Sequence, residues 1–146
     1  MKSRVWVVHG VNFDVLELRD PAMYGGLSLA ELETRIEGFA VDLGLDVSFW
    51  QTNHEGEFCE LLHRAHSQAD GLILNPGAWT HYSYAIRDAL DVSGLPAIEM
   101  HLSAIDERED WRAHSVIRDL VAGVVSGKGP DGYRDALMLL REELGS

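Results

Sequence analysis

The chain has one cysteine, Cys59, and only two lysines, Lys2 and Lys128. A single thiol excludes an intrachain disulfide and a thiolate-rich metal site. Cys59 falls within a helical pattern, where a small apolar residue is the ordinary occupant and a nucleophile is not expected. Lys2 lies near the start and Lys128 in a loop between glycines and a proline, so neither reads as the desolvated amine that imine chemistry needs. No apolar run approaches the roughly 20 residues of a membrane span. Met1-Lys2-Ser3-Arg4 leads straight into a strand-like run with no signal-peptide pattern, so a cytoplasmic location is expected. Positive charge is scarce as well: 12 Lys and Arg stand against 24 Asp and Glu, a net charge of −12. Such a surface repels a phosphate backbone, and nucleic acid is not an expected partner.

What remains is ordinary for a globular chain of 146 residues, with 46% hydrophobic and 25% charged residues, and one domain over 1–146 is expected. Val5-Trp6-Val7-Val8 is too short for a helix and rich in β-branched and aromatic residues, so it predicts a first strand. From Phe13 to Gly26 there is no steady period, and Asp20-Pro21 and Gly25-Gly26 predict a long loop. Ser28-Leu29-Ala30-Glu31 has capping-box spacing. Leu29, Leu32, Ile36, Phe39 and Leu43 then form a helical stripe that Gly44 stops.

A second strand is expected over 46–51, a helix over 55–68 and a third strand over 71–74. Further helix is expected from about Tyr82 to Val92, and a fourth strand from Leu95 to Met100. A helical turn around Asp110 to Ser115, a fifth strand at Val121 to Val125 and a last helix from about Asp131 to Leu144 complete the pattern. Strand and helix alternate, and the strands read as buried on both sides. That predicts an α/β, flavodoxin-like, doubly wound five-stranded parallel sheet of order 2-1-3-4-5 with helices on both faces.

This architecture directs the search for a site. Ligands of such sheets bind outside the carboxyl ends of the strands. His9–Asn12, Thr52–His54, Asn75–Gly77, His101–Ser103 and Ser126–Gly129 all follow strand ends, so they should gather at one edge beneath the long loop. His9-Gly10-Val11-Asn12 is not a glycine-rich dinucleotide turn, and Ser126-Gly127-Lys128-Gly129 lacks phosphate-loop spacing, so no cofactor is expected. His63 and His66, three apart on a helix, have chelating spacing without an obvious carboxylate partner. His81 and His101 lack a third strong ligand, so no metal is expected either.

The richest stretch is Glu99-Met100-His101-Leu102-Ser103 with Arg108 and Arg112 after it. Glu99 shares a strand face with His101 and can orient or charge its imidazole. Arg112 offers a planar fork to a carboxylate or hydroxyl pair, and the N–H groups of Leu102 and Ser103 can hold an anion. The long loop adds Arg19 and Tyr24. On its own that pair reads as a solvated charge and a packing residue. For Tyr24 to serve as a base near neutrality, its pKa of roughly 10 must fall by about three units, which an adjacent arginine and a dry site favour.

Taken together, these blocks resemble the type II 3-dehydroquinate dehydratases over nearly the whole chain. The likeness rests on Asn12, Arg19-Asp20-Pro21 and Tyr24-Gly25, then Gln51-Thr52-Asn53-His54-Glu55-Gly56 and Asn75-Pro76-Gly77-Ala78-Trp79-Thr80-His81. It continues through Ala85-Ile86-Arg87-Asp88-Ala89-Leu90, Glu99-Met100-His101-Leu102-Ser103, Arg108 and Arg112. The resemblance implies a cofactor-independent hydro-lyase that eliminates water from 3-dehydroquinate through an enolate. It implies Tyr24 as base, Arg19 as the residue that lowers its pKa, and Asn12 as a holder of the enolate-stabilising water. His101 would be the acid, with Glu99 as its orienter. Asn75, His81 and Arg112 would bind hydroxyls, the amides of Leu102 and Ser103 the carboxylate, and Asp88 would reach a neighbouring subunit's site in a dodecamer built from trimers.

The chain also departs from the family pattern. His9-Gly10-Val11-Asn12 replaces Asn-Gly-Pro-Asn, Glu17-Leu18 replaces Gly-Thr in the lid, and Ala104-Ile105-Asp106 replaces Asn-Ile-His. The altered lid leaves two alternatives open: a paralogue acting on an amino-analogue of dehydroquinate, and a catalytically silent ligand-binding or assembly homologue.

Overall fold

Alternation along the first strand divides the core in two. Val5 and Val7 pack into one cluster and Trp6 and Val8 into another, because successive side chains of a strand point to opposite faces. This strand, β1 (Arg4–His9), opens a computed structural model that describes residues 1–145. A 3-10 turn at Phe13–Leu18 and a one-turn helix α1 (Pro21–Tyr24) follow, and then α2 (Leu29–Leu43), β2 (Asp46–Gln51) and α3 (Glu55–Gln68). β3 (Gly71–Asn75) runs into a 3-10 segment, Gly77–His81, before α4 (Tyr84–Ser93) and β4 (Ala97–Met100). Ile105–Glu107 and α5 (Asp110–Ala113) lead to β5 (Gly123–Val125) and α6 (Gly132–Leu144).

The strands pair in the order β2-β1-β3-β4-β5, every pair parallel. That is the expected doubly wound sheet. On one face Leu32, Ile36 and Ala40 of α2 and Ala136, Leu137 and Leu140 of α6 cover Val5, Val7 and Ile98. On the other, Phe58, Leu62 and Ala65 of α3 with Ile86 and Leu90 of α4 cover Trp6, Val8, Leu72 and Leu74. Each of these large side chains contributes about 1.5–3 kcal/mol on burial. Among the described residues no helix is long and apolar enough to cross a membrane.

Local signals placed the element ends well. Ser28 and Glu31 form the complete reciprocal capping box of α2, and Gly44 ends it with φ 70°. Two expectations need correction. Burial on both faces holds for β3 and β4, whereas the edge strands β2 and β5 are partly exposed. The segment after Phe13 is not an irregular loop. Asp20 accepts from the Ala22 N–H at 2.9 Å and caps α1, Pro21 supplies a pre-set φ at the first helical position, and Gly25 closes it at φ 91°. A Cβ at Gly25 would also lie 2.6 Å from Pro130 Cγ, so the turn is seated against the loop before α6. One turn of helix is too short for an apolar period to reveal.

Candidate active site

A cavity of about 320 Å³ opens at the carboxyl edge of the sheet, between the ends of β1, β3 and β4. β1 reaches it because Gly10 passes under the Asn75–Pro76 backbone. The Gly10 N–H donates to the Asn75 carbonyl at 2.8 Å, and any Cβ at Gly10 would sit 2.3 Å from the Pro76 oxygen. Asn12 follows at φ 74°, the one non-glycine residue with positive φ among those described. Asparagine tolerates that conformation better than most residues. The Asn12 N–H donates to Asn53 Oδ1 at 2.8 Å and Asn53 in turn donates to Asp14 at 2.9 Å. Asn53, from the polar stretch after β2, therefore braces Asn12 from behind, and Thr52–His54 does not line the cavity. Neither does Ser126–Gly129.

Tyr24 and Arg19 line the same cavity as His101. Arg19 Nη2 donates to the Tyr24 hydroxyl oxygen at 2.6 Å, and Arg108 Nη1 donates to the same oxygen at 2.6 Å. The Arg19 guanidinium also lies 4.2 Å from the Tyr24 ring centroid. Two cationic donors on one phenolic oxygen stabilise negative charge there. Arg108 further donates to Ser103 Oγ at 3.2 Å, so the Ser103 side chain, expected to matter only for its backbone, helps to hold Arg108.

Opposite the tyrosine, His101 Nε2 lies 2.6 Å from Glu99 Oε2. Both residues are buried, Glu99 completely. Burial alone would raise the Glu99 carboxyl, but hydrogen bonds from His101 and Ser115 and the nearby Arg118 charge together hold it below the usual carboxylate range. An ionised Glu99 only accepts, so His101 carries a proton on Nε2 and donates it to that carboxylate. The carbonyls of Leu102 and Ser103 accept from the amides of Gly129 and Gly127 at 3.1 Å, which fixes the turn that follows.

His81, Asn75 and Arg112 complete the lining. Asn75 Oδ1 accepts from the Gly77 N–H at 3.2 Å, which orients its amide. Arg112 Nε is held by Glu109 at 2.7 Å. The His81 ring stacks toward His101 at 6.5 Å, and His81 Nδ1 donates to the His114 carbonyl at 2.7 Å. Burial, first, and then the positive charges of His101 and Arg112 hold the His81 imidazole below the ordinary 6.5. Its neutral Nε2 is thus an acceptor.

The unfolded chain protonates first as pH falls through about 6.5, so the fold loses stability from there down to the depressed folded value and no further. The urea midpoint should therefore fall less between about pH 7 and about pH 5 in His81→Gln than in the parent. Equal falls in the two proteins would contradict this role for burial.

Some expected residues lie elsewhere. Asp88 is exposed on α4 and does not line the cavity. His9 is fully buried beneath the site, its ring 5.4 Å from that of Phe13 and its Nε2 3.1 Å from Glu33. Glu17 and Leu18 are exposed and outside the cavity lining. Among the described residues no group of three or more His, Cys, Asp or Glu is placed to hold a metal ion. Nothing in the sequence pattern marks Ser115 and Arg118 as partners of Glu99 or pairs Arg108 with Tyr24. The Arg108 contact spans 84 residues, and no local spacing carries such a signal.

Comparison with known proteins agrees with this geometry. Residues 3–141 match the family "Dehydroquinase class II". The chain is 46% identical over 134 residues to the 3-dehydroquinate dehydratase of Pelotomaculum thermopropionicum, covering 92% of this chain and 93% of that one. It is 45% identical over 144 residues to 3-dehydroquinate dehydratase 2 of Pseudomonas putida, covering 99% and 97%. The crystal structure of type II dehydroquinase from Propionibacterium acnes superposes with a TM-score of 0.91 at 37% identity, covering 97% and 98%. A match over almost the whole chain, in sequence and in backbone, places it in the class II dehydroquinase family.

Proposed function

We infer that this chain is a 3-dehydroquinate dehydratase, a hydro-lyase that removes water from 3-dehydroquinate by anti elimination through an enolate. The observation that carries this reading is the Tyr24 oxygen held by Arg19 and Arg108 in the same cavity as a His101 backed by buried Glu99. Tyrosinate at Tyr24 takes the proton from the carbon beside the ketone, and the electron pair moves onto the carbonyl oxygen as an enolate. Asn12 holds a water against that oxygen. The enolate then re-forms the ketone and expels the hydroxyl on the far side, with His101 giving it a proton so that it leaves as water. Asn75, His81 and Arg112 bind substrate hydroxyls, and the amides of Leu102 and Ser103 bind its carboxylate.

The reading extends to assembly. Asp88, exposed on α4, contributes to a neighbouring copy's site in a dodecamer of trimers, and the exposed Tyr84 and Val92 on the same helix support a buried contact there. A cytoplasmic location suits the lone free thiol of Cys59. The test is direct. Purified protein mixed with 3-dehydroquinate should raise the ultraviolet absorbance of a conjugated enone acid, and the amino-analogue should give a slower rise. No rise above the blank would overturn the assignment; a faster rise with the amino-analogue would redirect it to that substrate.

A further inference from the structure

Glu99 is fully buried and uses both of its oxygens. Oε1 accepts from Ser115 Oγ at 2.8 Å. Oε2 accepts from His101 Nε2 at 2.6 Å and also from Arg118 Nη2 at 3.1 Å. The acid of the proposed reaction and a fixed cation therefore compete for one oxygen. We propose that Arg118 is a positioning residue that sets how readily His101 releases its proton, acting through the Glu99 oxygen they share.

The physical reason is simple. A carboxylate already neutralised in part by a guanidinium holds an imidazolium less firmly than a free one, and the guanidinium repels the imidazolium directly. Both effects make His101 a stronger acid, which suits a group that must deliver a proton to a leaving hydroxyl. The Arg118 side chain is 39% exposed, so solvent screens part of its charge. Asp106 Oδ1 lies 3.9 Å from Arg118 Nη1 and draws off a further part. Asp106 thus adjusts the same balance from outside the site.

The other charged groups near His101 stand on different elements. His81 comes from the turn after β3, stacked at 6.5 Å. Arg19, Tyr24, Arg108 and Arg112 line the cavity from the loop after β1 and the segment around α5. None of them is among the hydrogen-bond or ion-pair partners that Glu99 has, so Arg118 is the cation whose removal acts on His101 through that carboxylate.

The inference rests on His101 as the acid, but its test does not need turnover. Diethyl pyrocarbonate modifies an imidazole only in its neutral form, so the rate of His101 modification against pH, read by peptide mass spectrometry in the full-length protein, gives a midpoint. In Arg118→Gln that midpoint should rise by about half a unit to one unit. Arg118→Lys, which keeps the charge, should stay near the parent, and Asp106→Asn should shift the midpoint the other way by a smaller amount. An unmoved midpoint in Arg118→Gln overturns the proposal, and so does an equal rise in Arg118→Lys. Should Arg118→Gln fail to fold, Asp106→Asn decides, and a midpoint there at or above the parent's overturns it. A chain without dehydratase activity would still give these midpoints, so the two readings fail separately.

Discussion

Replacing Tyr24 by phenylalanine is expected to lower kcat about a thousand-fold, in the range lost when a general base is removed, while substrate affinity changes little. The ring stays against the Arg19 guanidinium, whose carbon lies 4.2 Å from its centroid, so the loop keeps that contact. The phenolic oxygen is lost, and with it the one atom on which Arg19 and Arg108 both converge. In the proposed reading the substrate hydroxyl and carboxylate contacts come from other elements, so binding should survive. Steady-state kinetics with isothermal titration of a non-reacting analogue would check both halves. Near-normal turnover would remove Tyr24 from the role of base.

The second large effect is expected at His101. Its replacement by alanine should cost about a hundred- to a thousand-fold in kcat, and it leaves Glu99 buried with one fewer donor, at 2.6 Å in the parent. This loss differs in kind from that at Tyr24. With the proposed base intact and the proposed acid gone, the enolate should still form and return to substrate. Substrate recovered from heavy water should then carry deuterium beside the ketone. The Tyr24→Phe protein should return it unlabelled. If both variants return unlabelled substrate, the assignment of base and acid to separate residues fails.

The fold was readable where the deciding interactions are local. The Ser28 to Glu31 capping box and the Gly44 stop each depend on a few adjacent residues, and both are present as expected. The edge at which the site lies followed from the parallel topology alone, since strand ends share one side of such a sheet. The pairing of Glu99 with His101, two residues apart across the end of β4, followed from side-chain alternation. What spacing could not show was set by tertiary approach. Arg108 stands in coil beyond Ile105–Glu107 and meets Tyr24 across 84 residues. His9 follows a run of buried strand residues into the core and stacks on Phe13 and Phe49, although its place in a polar cluster suggested the site. Arg118 reached Glu99 by the same kind of distant approach. The one-turn α1 escaped because its four residues span too little of a helical period, while its cap at Asp20 and stop at Gly25 were visible as turn signals.

The two arginines on the Tyr24 oxygen belong to different parts of the chain. Arg19 stands five residues before Tyr24 and travels with it. Arg108 is anchored across the cavity beside Ser103. Any outward swing of the loop carries Tyr24 and Arg19 away together and leaves Arg108 behind. The oxygen then keeps one cationic donor in place of two. The two donors meet on that oxygen only while the loop and the Arg108 segment stand together, so the site is completed by two separate parts of the chain.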